Sequence, residues 1–360
     1  MSVTKGHGVR SRRALIGVTG SVLGLIALGT GISYGAEGDA LRAVSVDSAA
    51  ELTAALADAE PGDVITLASG TYDGTFFATR SGTDDAPITL TGPRTAVLSN
   101  TERGCDPNVP EGRDVKYCGL GLHLNNVSGW HLTGFSVRDA AKGIVLDGSS
   151  NNVLDGVEVS EVEDEGIHFR TSSSDNILRN SSVHDTGTKQ PGFGEGVYLG
   201  SAVSNWPKFG EDGGDSPDRS DRNQVIDNEI GPNVTAELID IKEGTVDGVI
   251  SGNTFDGDGI TGDHFSDSWI DAKGNDYILE ENIGTFTGDG EVVDGYQTHQ
   301  QVPGAGCGNT WRANESDLGG ASGFAINVTN QSKCGTNPNV VSADNTVTGA
   351  DKGLTNISTG

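Results

Sequence analysis

Residues Ala236 to Gly257 read AELIDIKEGTVDGVISGNTFDG, and residues Ser268 to Gly288 read SWIDAKGNDYILEENIGTFTG. Both place hydrophobe-Asp-hydrophobe-Lys just before a turn and an asparagine before the next strand-like run. In extended chain, side chains alternate, so Ile239 and Ile241 face one way while Asp240 and Lys242 face the other. The same alternation separates Ile270 and Ala272 from Asp271 and Lys273. If the segments are repeats that stack as parallel strands about 4.8 Å apart, the two aspartates become neighbours and so do the two lysines.

The repeat extends in both directions. GLHL at 121, GIVL at 143, GIHF at 166, GVYL at 196, LIDI at 238, WIDA at 269, GYQT at 295 and GFAI at 323 are short alternating strands at intervals mostly in the twenties. A second register predicts equivalent turns at Asn180, Asn228, Asn253, Asn282, Asn309 and Asn345, where stacked asparagines form a ladder. Short strands, turn asparagines and one strand set per coil define an all-β parallel β-helix, a solenoid in which each coil covers the apolar face of the next. The 54 glycines and few aromatic residues agree with frequent turns and argue against a helical bundle. The longer interval between Gly196 and Leu238 holds an acidic Gly/Pro-rich insertion, residues 201–222, expected to project from the stack. Its acids lack the spacing of an EF-hand.

A solenoid must close its ends. DSAAELTAALADAEPGD, from Asp47, has Ser48 and Glu51 at capping-box spacing and Leu52, Ala55, Leu56 and Ala59 on one helical face. This predicts an N-terminal cap over about residues 44–75. Residues 1–36 differ: Lys5, Arg10, Arg12 and Arg13 precede an apolar, Gly-rich run from Ala14 to Ile32. They read as an export signal, either twin-arginine or ordinary secretory; a membrane anchor is the competing reading. The expected division is thus 1–36 signal and 37–360 β-helix domain, secreted and monomeric.

Beyond residue 36 the chain carries 19 Lys and Arg against 51 Asp and Glu, a net charge of −32. Such a surface repels nucleic acid and anionic membranes, and invites divalent cations. Four cysteines in an exported chain suggest two disulfides. Three pairings are possible; the one joining nearest neighbours is Cys105 with Cys118 and Cys307 with Cys334.

The outward columns hold His168, Arg170, Tyr198, Asp240, Lys242, Asp271, Lys273, Gln297 and His299, with Tyr296 beside them. Titratable and hydrogen-bonding groups over five successive coils suit a sugar-binding groove. The bland alternative is an exposed ion-pair ladder worth about 0.2 to 1 kcal/mol per pair.

The order VDSAAELTAAL, PGDVITLASGTYDG, APITLTGP resembles the cap and first coils of polysaccharide lyase family six, the chondroitinase B and alginate lyase group of pectin-lyase-like right-handed parallel β-helices. The resemblance implies a right-handed helix and cleavage of an acidic polysaccharide by β-elimination. It places Lys242 of ELIDIKEG as the base and Glu237 as a calcium ligand. Lys273 stands where the family has an arginine, and Thr235 where it has a second glutamate. The expected roles are therefore Lys242, Lys273 and His299 in catalysis, and His168, Arg170, Tyr198, Asp240, Asp271 and Gln297 in substrate binding. Calcium is the one cofactor considered, and no organic cofactor is expected. A glycoside hydrolase, an epimerase and a non-catalytic cell-surface glycan binder are the alternatives on this scaffold.

Overall fold

A short strand with one apolar face has no stability alone; it must be covered by a copy of itself on each side. The computed structural model, which describes residues 42–108, 117–211 and 216–360, meets that requirement with three parallel sheets of eleven, nine and ten strands. Each strand pairs with the equivalent strand one coil away. The expected signal at 1–36 lies outside the described residues, among which no helix is long and apolar enough to cross a membrane.

The nine-stranded sheet fixes the site. Register runs Leu122, Ile144, Ile167, Val197, Ile239, Ile270, Tyr296, Ile326, and all eight side chains are buried inside the coil. Full burial of one such aliphatic side chain is worth about 1.5 to 3 kcal/mol. Tyr296 therefore stands in the core row, not among the outward groups, because its place in the alternation matches Ile270.

The cap helix spans Ala49–Ala57, with Ser48 Oγ accepting from the Glu51 amide and the Glu51 carboxylate accepting from the Asp47 amide. Leu52, Ala55, Leu56 and Ala59 are buried over the first coils, as the spacing predicts. The helix ends at Asp58, before Pro61. Cys105 is bonded to Cys118 and Cys307 to Cys334.

The asparagine ladder has a different membership from the one read in sequence. Asn228, Asn253, Asn282, Asn314 and Asn345 pass side-chain hydrogen bonds of 2.8 to 3.0 Å along one turn. Asn152, Asn176 and Asn223 form a second ladder. Asn180 lies one residue too early: its backbone is left-handed (φ 50°), its side chain bonds to Asp155, and Ser181 meets Asn228 instead. Asn309 stacks against Asn339 at another corner. Asparagine is common at both buried ladders and left-handed turns, so spacing alone does not separate the two uses.

The described residues of the insertion, 201–211 and 216–222, fold back onto the stack. Trp206 and Phe209 are buried, and Asp218, fully buried, accepts hydrogen bonds from the amides of Thr171 and Ser172 and the hydroxyls of Ser201 and Ser220. These donors hold an acid that solvation would otherwise keep outside.

Asn282 tests the ladder. Its amide group donates to the Ile250 carbonyl and to Asn314, and accepts from Asn253. Asn282→Ala should cost about 1 to 3 kcal/mol, because buried partners are left unsatisfied. Urea unfolding followed by circular dichroism reads this; an unchanged midpoint would show the ladder to be dispensable.

Candidate active site

The outer face of the nine-stranded sheet carries two rows, two residues apart along each strand. One runs His168, Tyr198, Asp240, Asp271, Gln297. The other contains Arg170, Lys242, Lys273 and His299. These side chains point away from the coil interior but not into open water, since residues 201–209 and the turns at 190–193 and 264–267 rise around them. Together they bound a cleft of about 820 Å³. Asp240 is only 1 % exposed and Lys273 6 %. Burial removes the flat, solvated ion-pair ladder as a description of the site.

Asp240 is the centre. Its Oδ1 accepts from Lys273 Nζ at 2.9 Å, its Oδ2 pairs with Lys242, and Lys273 reaches Asp271 Oδ2 at 2.5 Å. Both oxygens of Asp240 are thus engaged as counter-ions to lysine. Burial pushes the Asp240 carboxyl up, but the two lysines outweigh it and hold it below the ordinary range. Burial likewise works to lower both ammonium groups. For Lys242 the pull of Asp240, Glu195 and Glu237 wins, and for Lys273 that of Asp240 and Asp271, so both remain charged in the substrate-free state. The mutual repulsion of stacked lysines, expected to lower Lys242, is the smaller effect.

Tyr198 lies between His168 and Asp240 in register, and the Lys242 ammonium sits 4.7 Å from its ring centroid. Burial, then Asp240, keeps its phenol protonated well above the usual range. His168 packs edge-on to Tyr198 at 4.4 Å and donates from Nε2 to the Gly200 carbonyl at 2.9 Å. Burial, with Arg170 and Lys142, holds its imidazole neutral. Arg170 is locked: Nε and Nη2 donate to Asp147 at 2.7 and 3.0 Å, and the guanidinium stacks 4.9 Å from Tyr117 and 4.5 Å from Phe209. His123 bridges Asp106 and Asp147 behind it, at 2.7 and 2.9 Å. Arg170 therefore builds the wall under the insertion instead of reaching across the cleft.

At the other end, Gln297 donates to Asp267 and Asp294, and its oxygen faces His299 Nε2 at 2.8 Å. His299 is half-buried, with Nε2 3.8 Å from Asp271 Oδ1. It lines the cleft two coils from Lys242.

Glu195 was missed in sequence, although the signal was present: EGIHF, EGVYL and ELIDI each open on a glutamate, at 165, 195 and 237. Oxygens of Glu195, Glu237 and Asp240 all lie within 4.8 Å of one another. Burial and then Glu237 raise Glu195 to about 8, and burial and then Asp240 raise Glu237 to about 7. Glu195 Oε2 and Glu243 Oε2 are buried without a hydrogen-bond partner among the described residues, and both line the cleft. Glu165 Oε2, His168 Nδ1 and Asp271 Oδ1 share that state along the same cleft, so its floor has unused capacity for hydrogen bonds or a hard cation. Thr235, where the resemblance has a second glutamate, donates to the carbonyls of Thr186 and Pro191 and is occupied in holding the wall.

Comparison with known proteins places this geometry. Residues 120–278 match the family described as right handed beta helix region. The alginate lyase from Paenibacillus sp. str. FPU-7 is 38 % identical and superposes with a TM-score of 0.76 over 87 % of this chain and 97 % of that one. Pectate lyase Pel9A, 18 % identical, gives a TM-score of 0.58 over 87 % of this chain and 79 % of that one. PfbA, a surface adhesin of Streptococcus pneumoniae, gives 0.54 at 12 % identity, over 86 % of this chain and 74 % of that one. The last two share the fold alone. No curated protein matches the chain in sequence. The chain belongs to the pectin-lyase-like right-handed parallel β-helices, in the family of the Paenibacillus alginate lyase.

The raised glutamates make stability depend on pH with a definite sign. A folded-state pKa above the unfolded value means that the native state holds more protons between pH 4.5 and about 8, so stability falls as pH rises through that window. Glu195→Gln keeps the shape and removes the titration. The variant should gain a few kcal/mol on the parent between pH 5 and 8, read from chemical unfolding at each pH. Parallel curves would show that Glu195 ionises normally.

Proposed function

We propose that the protein is a secreted, monomeric polysaccharide lyase that cleaves a uronic-acid polymer by β-elimination. The observation that carries this reading is the 38 % identity over nearly the whole of an alginate lyase, and alginate is the first substrate to test. The buried Lys242–Asp240–Lys273 cluster supplies chemistry suited to it.

β-Elimination removes the proton beside the uronate carboxylate, forms a C4–C5 double bond from those electrons, and expels the 4-oxygen, which takes a proton. Lys242 is the base. Asp240 is its one ion-pair partner among the described residues, and Lys273 stands ready to hold that aspartate alone. A sugar filling the cleft strips the remaining water from Lys242 and strengthens burial, already the largest influence on it and one that favours the neutral amine. Tyr198, protonated and next to Lys242, is better placed than His299 to give its proton to the leaving oxygen; the lysine ammonium then restores the phenol. Lys273 stays charged and offsets negative charge as the carbanion forms. His299 and Gln297 would hold a neighbouring sugar.

Hard carboxylate oxygens suit calcium, and Glu195, Glu237 and Asp240 would hold it, with the unpartnered Glu195 Oε2 as the clearest vacant donor. Bound there, calcium would neutralise the substrate carboxylate. The hydrolase reading is weaker. Asp240 and Asp271 are direct register partners and both serve as counter-ions to Lys273, which leaves neither as the protonated acid that a hydrolase pair needs.

The test is absorbance of the unsaturated uronate while purified protein meets alginate, pectate, glucuronan and glycosaminoglycans, with calcium and with chelator. Cleavage should fall at least about 100-fold in Lys242→Ala and comparably in Tyr198→Phe. Cleavage undiminished in Lys242→Ala would remove it as the base, and no product on any polymer would remove the lyase reading.

A further inference from the structure

Phe265 is 92 % exposed, the most open large apolar side chain among those described, and it lines the cleft. Its neighbour Phe193, 47 % exposed, lines the same rim from a different coil. His264 joins them: its ring meets Phe193 edge-on at 4.7 Å, and its Nδ1 donates to the Gly192 carbonyl at 3.0 Å. A side chain at Gly192 would collide with that ring, since a Cβ there lies 2.7 Å from Nδ1.

The backbone holds this exposure deliberately. His264 and Phe265 both have left-handed φ, 55° and 72°, a conformation that bulky residues adopt only when the surroundings impose it. Here the loop is tied at both ends. Thr261 donates from its amide and its hydroxyl to the Thr235 carbonyl, and Ser266 donates to Glu237 Oε2. Asp267 accepts from Gln297. An aromatic ring is thus displayed on a rigid mount hydrogen-bonded to the acidic centre.

Charge explains the need. The cleft is lined by eight carboxylate side chains and four lysine or arginine side chains, so long-range attraction does not draw a polyanion to its rim. Apolar contact is insensitive to that repulsion. We propose that Phe265, supported by Phe193 and His264, is a platform on which a pyranose ring of the polymer stacks through its apolar C–H face, one subsite beyond the reacting unit. The inference rests on the uronate-polymer reading of the cleft and names a binding subsite within it.

Affinity electrophoresis through gels containing alginate or pectate tests it, using the full chain and the full chain carrying Lys242→Ala, in which polymer stays intact. Phe265→Ala should weaken polymer binding about three- to tenfold in both backgrounds, and Phe265→Trp should retain it with a change in tryptophan emission on titration. Because Phe265 is exposed, the melting midpoint should not move. Retardation unchanged by Phe265→Ala overturns the platform alone, including the case in which that variant alters self-association instead. No retardation of the full chain by any polymer overturns the cleft reading and the platform with it.

Discussion

Parallel strands must lie about 4.8 Å apart to satisfy their backbone, and in this molecule every other feature is arranged around that spacing. It requires each coil to present to the next a row of side chains of matching character. The rows inside are aliphatic, the corners are amide ladders, and the outer rows of one sheet are ionic. An ionic row at such spacing is costly unless opposite charges alternate and are hydrogen-bonded. Asp240 satisfies that condition by standing between two lysines, one from its own coil and one from the next. The same spacing brings Glu195 against Glu237, burial outweighs the pull of Lys242 and Lys273 there, and protons are retained instead.

These two solutions to one constraint divide the cleft by function. The lysine-aspartate cluster holds buried charge in balanced pairs. The glutamate pair stores an unmet demand for a proton or a hard cation. Tyr198 lies at their junction, so a residue read from sequence only as a sugar contact is, in the folded chain, a protonated phenol packed against Lys242.

Much of this was legible in the sequence because period-two alternation and a repeat near two dozen residues leave few alternatives. Ile239, Ile270 and their equivalents announced the core, and Asp240, Lys242, Asp271 and Lys273 announced the outer rows. What failed had physical reasons. Tyr296 reads as a neighbour of the outward groups although its alternation puts it in the core, and Asn180 reads as a ladder residue because left-handed turns and buried ladders both favour asparagine. Glu195 escaped because its significance depends on a partner 42 positions away in the chain, with the insertion between them. The insertion looked solvent-bound from its acids, yet Asp218 is satisfied by four donors and Trp206 and Phe209 supply its anchor.

That insertion leaves the stack after the strand Val197–Leu199 and rejoins it before the strand Gln224–Ile226, and the pairing of both strands with the coils on either side is uninterrupted. The frame and the walls of the cleft are thus separable parts of one chain. A solenoid built from nearest-neighbour contacts tolerates a longer or shorter excursion at such a joint without re-registering any coil. Wall segments are therefore the part of this scaffold that can reshape the cleft while its ionic floor stays fixed, and exchange of the excursion between related chains is a route to a differently shaped cleft that leaves folding intact.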